Sequence, residues 1–318
     1  MTELTNLQEP VFSASIYAGG QLDQVLTEVV APFYRDVTQE DPEAGIWAVR
    51  YSRRGEHLKL RAHSASLQAE DLEARLRHFA EGFWAEQSPS DGERVARFDI
   101  PAIDSEDEPN EAVPDRTVQV TAYRRSQVTL GAQTFLDHDD IVAAMHKALA
   151  AGFARCLGLS AEQLAGQRQN LLAKTQLDAV LSAMDRATAV DYLAYHRNWL
   201  LRFFVPNTKR EEQLTAHFEE RVQAMGPLVD RLRQMEPEAA GDPWVDAVAD
   251  LLRTLEPYAE DPAFDLDPFA GARWQPAFFK VVHGVANSFG VRPMDEAFIC
   301  HLLHTALSGV AADSDGEA

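Results

Sequence analysis

Three side chains that can carry positive charge alternate with two leucines at residues 57 to 61. Neighbouring side chains of a β-strand point to opposite faces, so His57, Lys59 and Arg61 would share one face about 6 to 7 Å apart while the leucines enter the core. Arginine supplies a bidentate fork, lysine a point charge and histidine a proton near neutral pH, a combination that suits a carboxylate or another anion. The alternative is a solvated outer face, because charged residues commonly protect exposed edge strands.

Basic residues gather around this strand although the chain as a whole is acidic. The formal net charge is −21, yet five of the 29 Lys and Arg residues lie between positions 50 and 61. A second basic cluster, Tyr123-Arg124-Arg125, ends another predicted strand. If the two strands pair, these arginines extend the same anion site; otherwise they form a basic strand end before a loop. The acidity argues against a nucleic-acid partner, because phosphate binding needs a broad basic surface.

A third candidate lies near the C-terminus, where His283 and Asn287 are four residues apart in a predicted helix. Positions i and i+4 lie on one helix face, so this pair could present an acid or base together with an amide that orients it. A core histidine satisfied by its neighbours is the alternative. His301 and His304 lack the third ligand that a catalytic zinc needs, so they are interpreted as packing or surface residues.

Several other classes of site find no support in the sequence. There is no phosphate loop, dinucleotide-binding glycine pattern, nucleophile elbow or His-Glu-x-x-His sequence, so no cofactor and no metal is expected. The two cysteines, Cys156 and Cys300, offer neither metal spacing nor a disulfide framework and favour a reducing cytoplasm. No N-terminal signal segment and no apolar stretch of about 18 residues is found, so we expect neither export nor a membrane partner.

The elements that must position these residues follow from hydrophobic periodicity. Alternation predicts strands at 11–18, 46–51, 57–63, 94–100 and 117–123, with a turn at 52–55 that makes a hairpin of the second and third. Apolar residues three and four apart predict helices at 21–37 and 69–87, then at 139–157, 161–184, 187–204, 210–234, 243–258, 276–289 and 294–307.

These elements predict an α+β fold with a mixed N-terminal sheet and flanking helices, followed by a mostly helical C-terminal part. We expect one domain over residues 1–318, with a sheet-bearing part at 11–135 and a helical part at 136–310. Residues 311–318 are predicted to form a disordered tail.

The order of these motifs resembles the thiopeptide-type bacteriocin biosynthesis family, which is the small C-terminal domain of lantibiotic dehydratases and also occurs free-standing. The resemblance covers roughly residues 11 to 308. Its most specific parts are the hairpin, in which Arg50-Tyr51 is followed by His57-Leu58-Lys59-Leu60-Arg61, and the late helix with His283, Asn287 and Gly290, followed by Glu296.

The resemblance implies elimination of glutamate from glutamylated Ser or Thr of a precursor peptide, which leaves dehydroalanine or dehydrobutyrine. Lys59 and Arg61 would bind the glutamyl carboxylates and His283 would transfer the proton, held by Asn287. The resemblance implies that the substrate is bound by His57, Arg125, Arg124, Asn287 and Tyr51. The expected partners are the precursor peptide, with its leader, and a separate glutamylating dehydratase subunit, and a homodimer is one option for the assembly.

The chain departs from the family pattern at two places. Lys59 stands where the family favours arginine, and the arginine expected near Thr129 is missing, for which Arg125 is a candidate replacement. Two other functions therefore stay open. One is a thiopeptide pyridine synthase, which joins two dehydroalanines in a formal aza-[4+2] cycloaddition and expels the leader. The other is a non-catalytic subunit that binds the precursor peptide, with the N-terminal sheet accepting the leader as an added strand.

Overall fold

A computed structural model describes residues 12–52, 54–87, 111–121, 123, 138–205, 207–235, 241–258 and 271–309. Its four strands are β1 (Phe12–Tyr17), β2 (Gly45–Tyr51), β3 (His57–His63) and β4 (Thr117–Val120). They form one sheet in the order β2-β3-β1-β4, and each described pairing is antiparallel. The α+β class is confirmed. The described part of the sheet is antiparallel rather than mixed, because a short hairpin turn forces β2 and β3 to run in opposite directions.

The hairpin turn fixes which residues of β2 and β3 face each other. Arg54 and Gly55 both have positive φ, at 66° and 124°, and the Gly55 N–H donates to the Ser52 carbonyl at 3.2 Å. A positive φ is natural for glycine and lets the chain reverse tightly. The resulting register places Tyr51 opposite His57 and Trp47 opposite Arg61.

Three helical segments replace the single helix predicted between β1 and β2. They are α1 (Leu22–Val25), a π-helical segment (Leu26–Val30) and α2 (Ala31–Glu40). Proline has no N–H to donate to the preceding turn, so Pro32 fits the first turn of α2 and interrupts the regular α-helical pattern before it. The next helix, α3 (Ala69–Glu86), has a capping box formed by Gln68 and Asp71 and packs against the π-helical segment and the sheet.

Beyond the sheet, the described chain is helical, as predicted. The helices are α4 (Asp139–Ala154), α5 (Ala161–Ala183), α6 (Arg186–Phe204), α7 (Thr208–Ala224), α8 (Gly226–Arg233), α9 (Pro243–Leu255) with a 3-10 turn (Glu256–Tyr258), α10 (Gln275–Phe289) and α11 (Pro293–Ser308). The helix predicted at 210–234 is two helices, α7 and α8. Gly226 and Pro227 explain the break, because proline cannot continue the hydrogen-bond pattern of the preceding helix.

The chain divides into two compact units. The first comprises Met1–Gln167 together with Asn287–Gly290, and the second comprises Arg168–Ala286 and Val291–Ala318. In the first unit, α4 packs against β2. In the second unit, α11 packs against α6, α7 and α8 and is buried along most of its length. Within the described ranges, no helix combines the length and the apolar character that crossing a membrane requires.

The predicted strand at 94–100 and the predicted tail at 311–318 lie outside the described residues.

Candidate active site

Strand β3 is buried on both faces. Leu58 and Leu60 are fully buried, as expected, but His57, Lys59 and Arg61 are also only 7%, 5% and 4% exposed. The interpretation of the basic face as a solvated surface is therefore wrong. Sequence alternation shows which residues share a face, and only the fold shows that this face is covered.

Arg61 occupies an unusual position for a charged residue. Its neighbours in register are Trp47 on β2 and Ser13 on β1, and its guanidinium carbon lies 5.5 Å from the centre of the Tyr123 ring. The buried Nε and Nη2 atoms have no hydrogen-bond partner, and no carboxylate in the described residues forms an ion pair with Arg61. A buried charge without a partner costs several kcal/mol, and an anion beside the guanidinium would offset that cost.

Aromatic side chains shape the face around Arg61. The Trp47 ring lies 4.6 Å from the ring of His146 on α4, and His146 Nε2 forms a 2.8 Å hydrogen bond with the Tyr123 hydroxyl. Helix α4 positions this cluster because it packs directly on β2. His146 was not among the residues predicted for the site, since a single histidine in an apolar helical pattern gives no functional signal.

The remaining predicted residues of the hairpin lie farther along the same face. Lys59 Nζ is 5.4 Å from the centre of the Tyr51 ring. The His57 ring lies between Tyr17 and Tyr51, at 4.6 and 5.6 Å, and its Nδ1–H donates to the Gly55 carbonyl at 2.9 Å. The structure thus brings together His57, Lys59, Arg61 and the partly exposed Tyr51 on one face of the sheet.

The strand that leads to the second basic cluster pairs with β1, not with the hairpin. Its last described residue, Tyr123, contributes the ring beside Arg61. Arg124 and Arg125 lie outside the described residues, as does the segment around Thr129.

The second unit contains a buried network that starts from His283 on α10. His283 Nδ1 donates to Glu296 Oε2 at 2.8 Å, and His196 Nε2 donates to Glu296 Oε1 at the same distance. The Tyr192 hydroxyl completes the chain by donating to His196 Nδ1 at 3.0 Å. Helices α10, α11 and α6 supply one or two members each. Because Nδ1 of His283 is engaged by Glu296, Nε2 is the nitrogen that can exchange a proton with a substrate.

The charges in this network are set by burial and by Glu296. Glu296 is fully buried, which by itself raises the pKa of its carboxyl, but the two imidazoles overcome that effect and lower the pKa to about 2. Burial lowers the pKa of His196, which stays neutral. Burial also opposes protonation of His283, but the charge and hydrogen bond of Glu296 prevail and raise its pKa. With its side chain 22% exposed, His283 is the member that reaches the surface.

Asn287 has a different role from the one expected. Its Oδ1 accepts from the Arg50 N–H and its Nδ2 donates to the Arg50 carbonyl at 3.2 Å, so the amide holds strand β2. The Arg50 side chain is itself fixed by Asp23 at 2.7 Å and by the Ser288 carbonyl at 3.2 Å. The hydrogen bond that orients His283 comes from Glu296 instead.

Sequence reasoning also missed Lys280, which lies on α10 one turn before His283. Lys280 is buried, and this desolvation lowers its pKa to about 8.

The sequence does contain one indication that Glu296 is important, since it is a carboxylate among the apolar residues of the last predicted helix. Such a residue needs a buried partner, but the sequence does not identify which histidine supplies it.

Comparison with known proteins places this arrangement in a family. The family model described as lantibiotic biosynthesis dehydratase C-term matches residues 12–307. No curated protein matches the chain. Thirteen chains of solved structures match, among them the pyridine synthase TbtD from thiomuracin biosynthesis. That match has a TM-score of 0.64 and 16% sequence identity and covers 96% of this chain and 99% of the other, which shows a shared fold. Since the family model spans nearly all of the chain, the protein belongs to the lantibiotic biosynthesis dehydratase C-terminal family, whose members tailor ribosomally synthesised peptides.

Proposed function

We propose that the protein eliminates glutamate from glutamylated Ser and Thr residues of a precursor peptide. In this reaction His283 Nε2 takes the Cα proton, and the electron pair of the broken C–H bond forms the Cα=Cβ double bond. The Cβ–O bond breaks and glutamate leaves as a carboxylate. The products are dehydroalanine or dehydrobutyrine and free glutamate, and no oxidant or reductant is needed.

The observation that carries this proposal is the buried guanidinium of Arg61 with two unpaired nitrogens. An elimination that expels a carboxylate needs a cation for the leaving group, and preorganised donors stabilise such a charge most strongly where water is excluded. Lys59 contributes a second positive charge on the same face, beside Tyr51 and His57. Arg124 and Arg125 are proposed as further substrate contacts from the sequence alone.

The proton transfer rests on His283. A carboxylate hydrogen-bonded to one imidazole nitrogen fixes the tautomer and stabilises the imidazolium that forms when the other nitrogen takes a proton. Glu296 meets this description and acts as a positioning residue, since it bonds to His283 and not to the substrate. This arrangement favours an enzyme over a subunit that only binds the precursor peptide.

Pyridine formation is the second candidate, because a solved structure that matches over almost its full length is a pyridine synthase. A cycloaddition of two dehydroalanines expels no glutamate, so it gives the Arg61 guanidinium no carboxylate to bind. The two reactions therefore differ in their products and in their need for Arg61.

The deciding experiment supplies purified protein with a precursor peptide glutamylated by a separate dehydratase. Mass spectrometry should show loss of glutamic acid from the peptide, together with free glutamate. Ring closure with simultaneous release of the leader would establish the pyridine reaction instead. Arg61→Ala and His283→Ala should each depress turnover while the fold is retained, and unaltered rates in both variants would refute the assignment of these residues.

A further inference from the structure

The buried face around Arg61 contains a donor that the proposed reaction has not used. Trp47 is 1% exposed, and its indole Nε1–H has no hydrogen-bond partner among the residues that the structure describes. An indole N–H can only donate a hydrogen bond. Burying it without an acceptor destabilises the fold, and a bound acceptor would remove that penalty. Trp47 stands directly opposite Arg61 in the β2–β3 register. Within the described part of the chain, three nitrogens without partners therefore lie on the same face of two adjacent strands.

The orientation of the Trp47 ring is fixed by its neighbours. The indole packs on the ring of His146, and His146 Nε2 is already engaged by the Tyr123 hydroxyl. Tyr123 in turn lies against the Arg61 guanidinium. Because Trp47 and Arg61 are also opposite each other in register, Trp47, His146, Tyr123 and Arg61 form one cluster. Residues directly opposite each other on antiparallel strands have Cβ atoms about 5 Å apart, which is close enough for both side chains to reach one carboxylate group.

We propose that Trp47 Nε1 and the Arg61 guanidinium form a single carboxylate-binding pocket. Arg61 supplies the charge and the indole N–H binds one oxygen of the group. This inference rests on the proposed function for its ligand, which is the glutamyl carboxylate that leaves when the Cβ–O bond breaks. Trp47 would then determine specificity, because a neutral donor beside one guanidinium matches a monoanion.

Nitrogen-15 NMR of the indole groups tests the pocket without turnover. The chain has five tryptophans, and the signal that disappears in Trp47→Phe belongs to Trp47. A monomethyl ester of L-glutamate should move the Trp47 signal, whereas L-glutamine methyl ester, which has no carboxylate, should not. Inorganic phosphate is titrated as a third probe. A response to phosphate without a response to the glutamate ester would overturn the proposal.

The matched control is Trp84 on α3, whose Nε1 is also buried without a partner. Trp47→Phe keeps the ring on His146 and loses only the donor, so the dissociation constant of the glutamate ester should rise about 10- to 100-fold, as expected for one hydrogen bond to a charged group. Trp84→Phe should leave it unchanged. A Trp47→Phe constant within twofold of the parent value, or an unmoved Trp47 signal in the parent, refutes the pocket. If Trp47→Phe fails to fold, the Trp47 indole signal is assigned in the parent protein by sequential NMR assignment, and its shift with the glutamate ester decides.

The two proposals fail separately. A parent protein that releases no glutamate but shows the Trp47 shift would refute the elimination reaction and leave the pocket standing. A parent protein that releases glutamate, with the same kcat/KM in Trp47→Phe, would refute the pocket and leave the reaction standing. Both proposals are supported when the parent protein releases glutamate and Trp47→Phe lowers kcat/KM for the glutamylated peptide.

Discussion

Replacement of Glu296 by glutamine tests the central element of the second unit. Glutamine has the same shape but no charge, and only one of its terminal atoms accepts hydrogen bonds. Glu296 now accepts from both His196 and His283. In the variant one imidazole faces an amide N–H, so either His283 or His196 no longer donates there and must adopt the other tautomer to accept.

The magnitude follows from the pKa of the carboxyl. Burial alone would raise the Glu296 pKa, yet the two imidazoles lower it from 4.5 to about 2. That difference means that the environment favours the ionised carboxylate by about 3 kcal/mol. If all of it supported the imidazolium of His283, its loss would slow turnover about 300-fold. Since two imidazoles share the carboxylate, we expect Glu296→Gln to lower kcat between about 10- and 300-fold.

The pH dependence gives a second signature. His283 accepts the Cα proton only when it is neutral, so turnover should rise as the pH increases through its pKa. Glu296 raises that pKa. In Glu296→Gln the pKa should fall, which moves the rising limb of the pH–rate profile to lower pH while the plateau drops. An NMR titration of the His283 ring measures the same pKa without substrate.

Tyr192→Phe is the matched control, because it removes the hydroxyl that bonds to His196 and leaves both hydrogen bonds to Glu296. Its kcat should stay within about fivefold of the parent value, since it removes only one neutral hydrogen bond remote from His283. A Glu296→Gln variant that is folded and has the parent kcat and the parent pH profile would refute the role given to Glu296.

Two further predictions concern stability. Arg61→Met should abolish glutamate release without lowering the free energy of unfolding, because in the described fold Arg61 Nε and Nη2 have no hydrogen-bond partners. The control is Arg50→Met, which loses the hydrogen bonds of Arg50 to Asp23 and to the Ser288 carbonyl. It should lower the free energy of unfolding by about 1 to 3 kcal/mol. Denaturant titration measures both, and an Arg61→Met variant as destabilised as Arg50→Met would contradict the prediction. Burial, aided by the charge of Arg197, lowers the pKa of His301 from 6.5 to about 4. Between these two pH values His301 is protonated in the unfolded chain and neutral in the folded chain. As the pH falls from 6.5 to 4, His301 should therefore lower the free energy of unfolding by about 3 kcal/mol. His301→Gln should lose less stability in acid than the parent protein does. Denaturant titrations at pH 7 and 4.5 measure this loss, and equal losses in the two proteins would refute this account.

The sequence predicted the hairpin almost to the residue because two independent signals agree there. Alternation identified His57–His63 as a strand, and Gly55 identified the turn that sets its register. The same signals do not show what covers a strand, so the burial of Lys59 and Arg61 emerged only from the fold. Helix α4 covers part of the strand, and periodicity correctly predicted it as a helix. Its contact with β2 joins distant parts of the chain, so local periodicity could not predict that contact.

The network around His283 also depends on contacts between distant parts of the chain, which local spacing cannot predict. Helix periodicity correctly paired His283 with Asn287 on one helix, since neighbours at four residues are local. Glu296 and His196 reach His283 from two other helices, and His196 is 100 residues from Glu296 in the chain. The amide of Asn287 is used by the backbone of Arg50, a partner 237 residues away. Local spacing therefore placed His283 and Asn287 on one helix face, but the hydrogen bond to His283 comes from Glu296 on another helix.

Both units retain buried charges that a fold selected for stability alone would replace. Apolar residues of similar volume generally stabilise a core as well as a buried ion pair does, and better than an unpaired ion. Arg61 keeps two unpaired nitrogens in the first unit, and in the second unit Glu296 stays ionised between two imidazoles. Arg61 is a cation without a partner anion among the described residues. Glu296 holds Nδ1 of His283, whose Nε2 can then accept a proton. Elimination of a glutamyl ester needs both chemical functions, one for the departing carboxylate and one for the Cα proton, which is why it accounts for these charges better than cycloaddition or passive peptide binding.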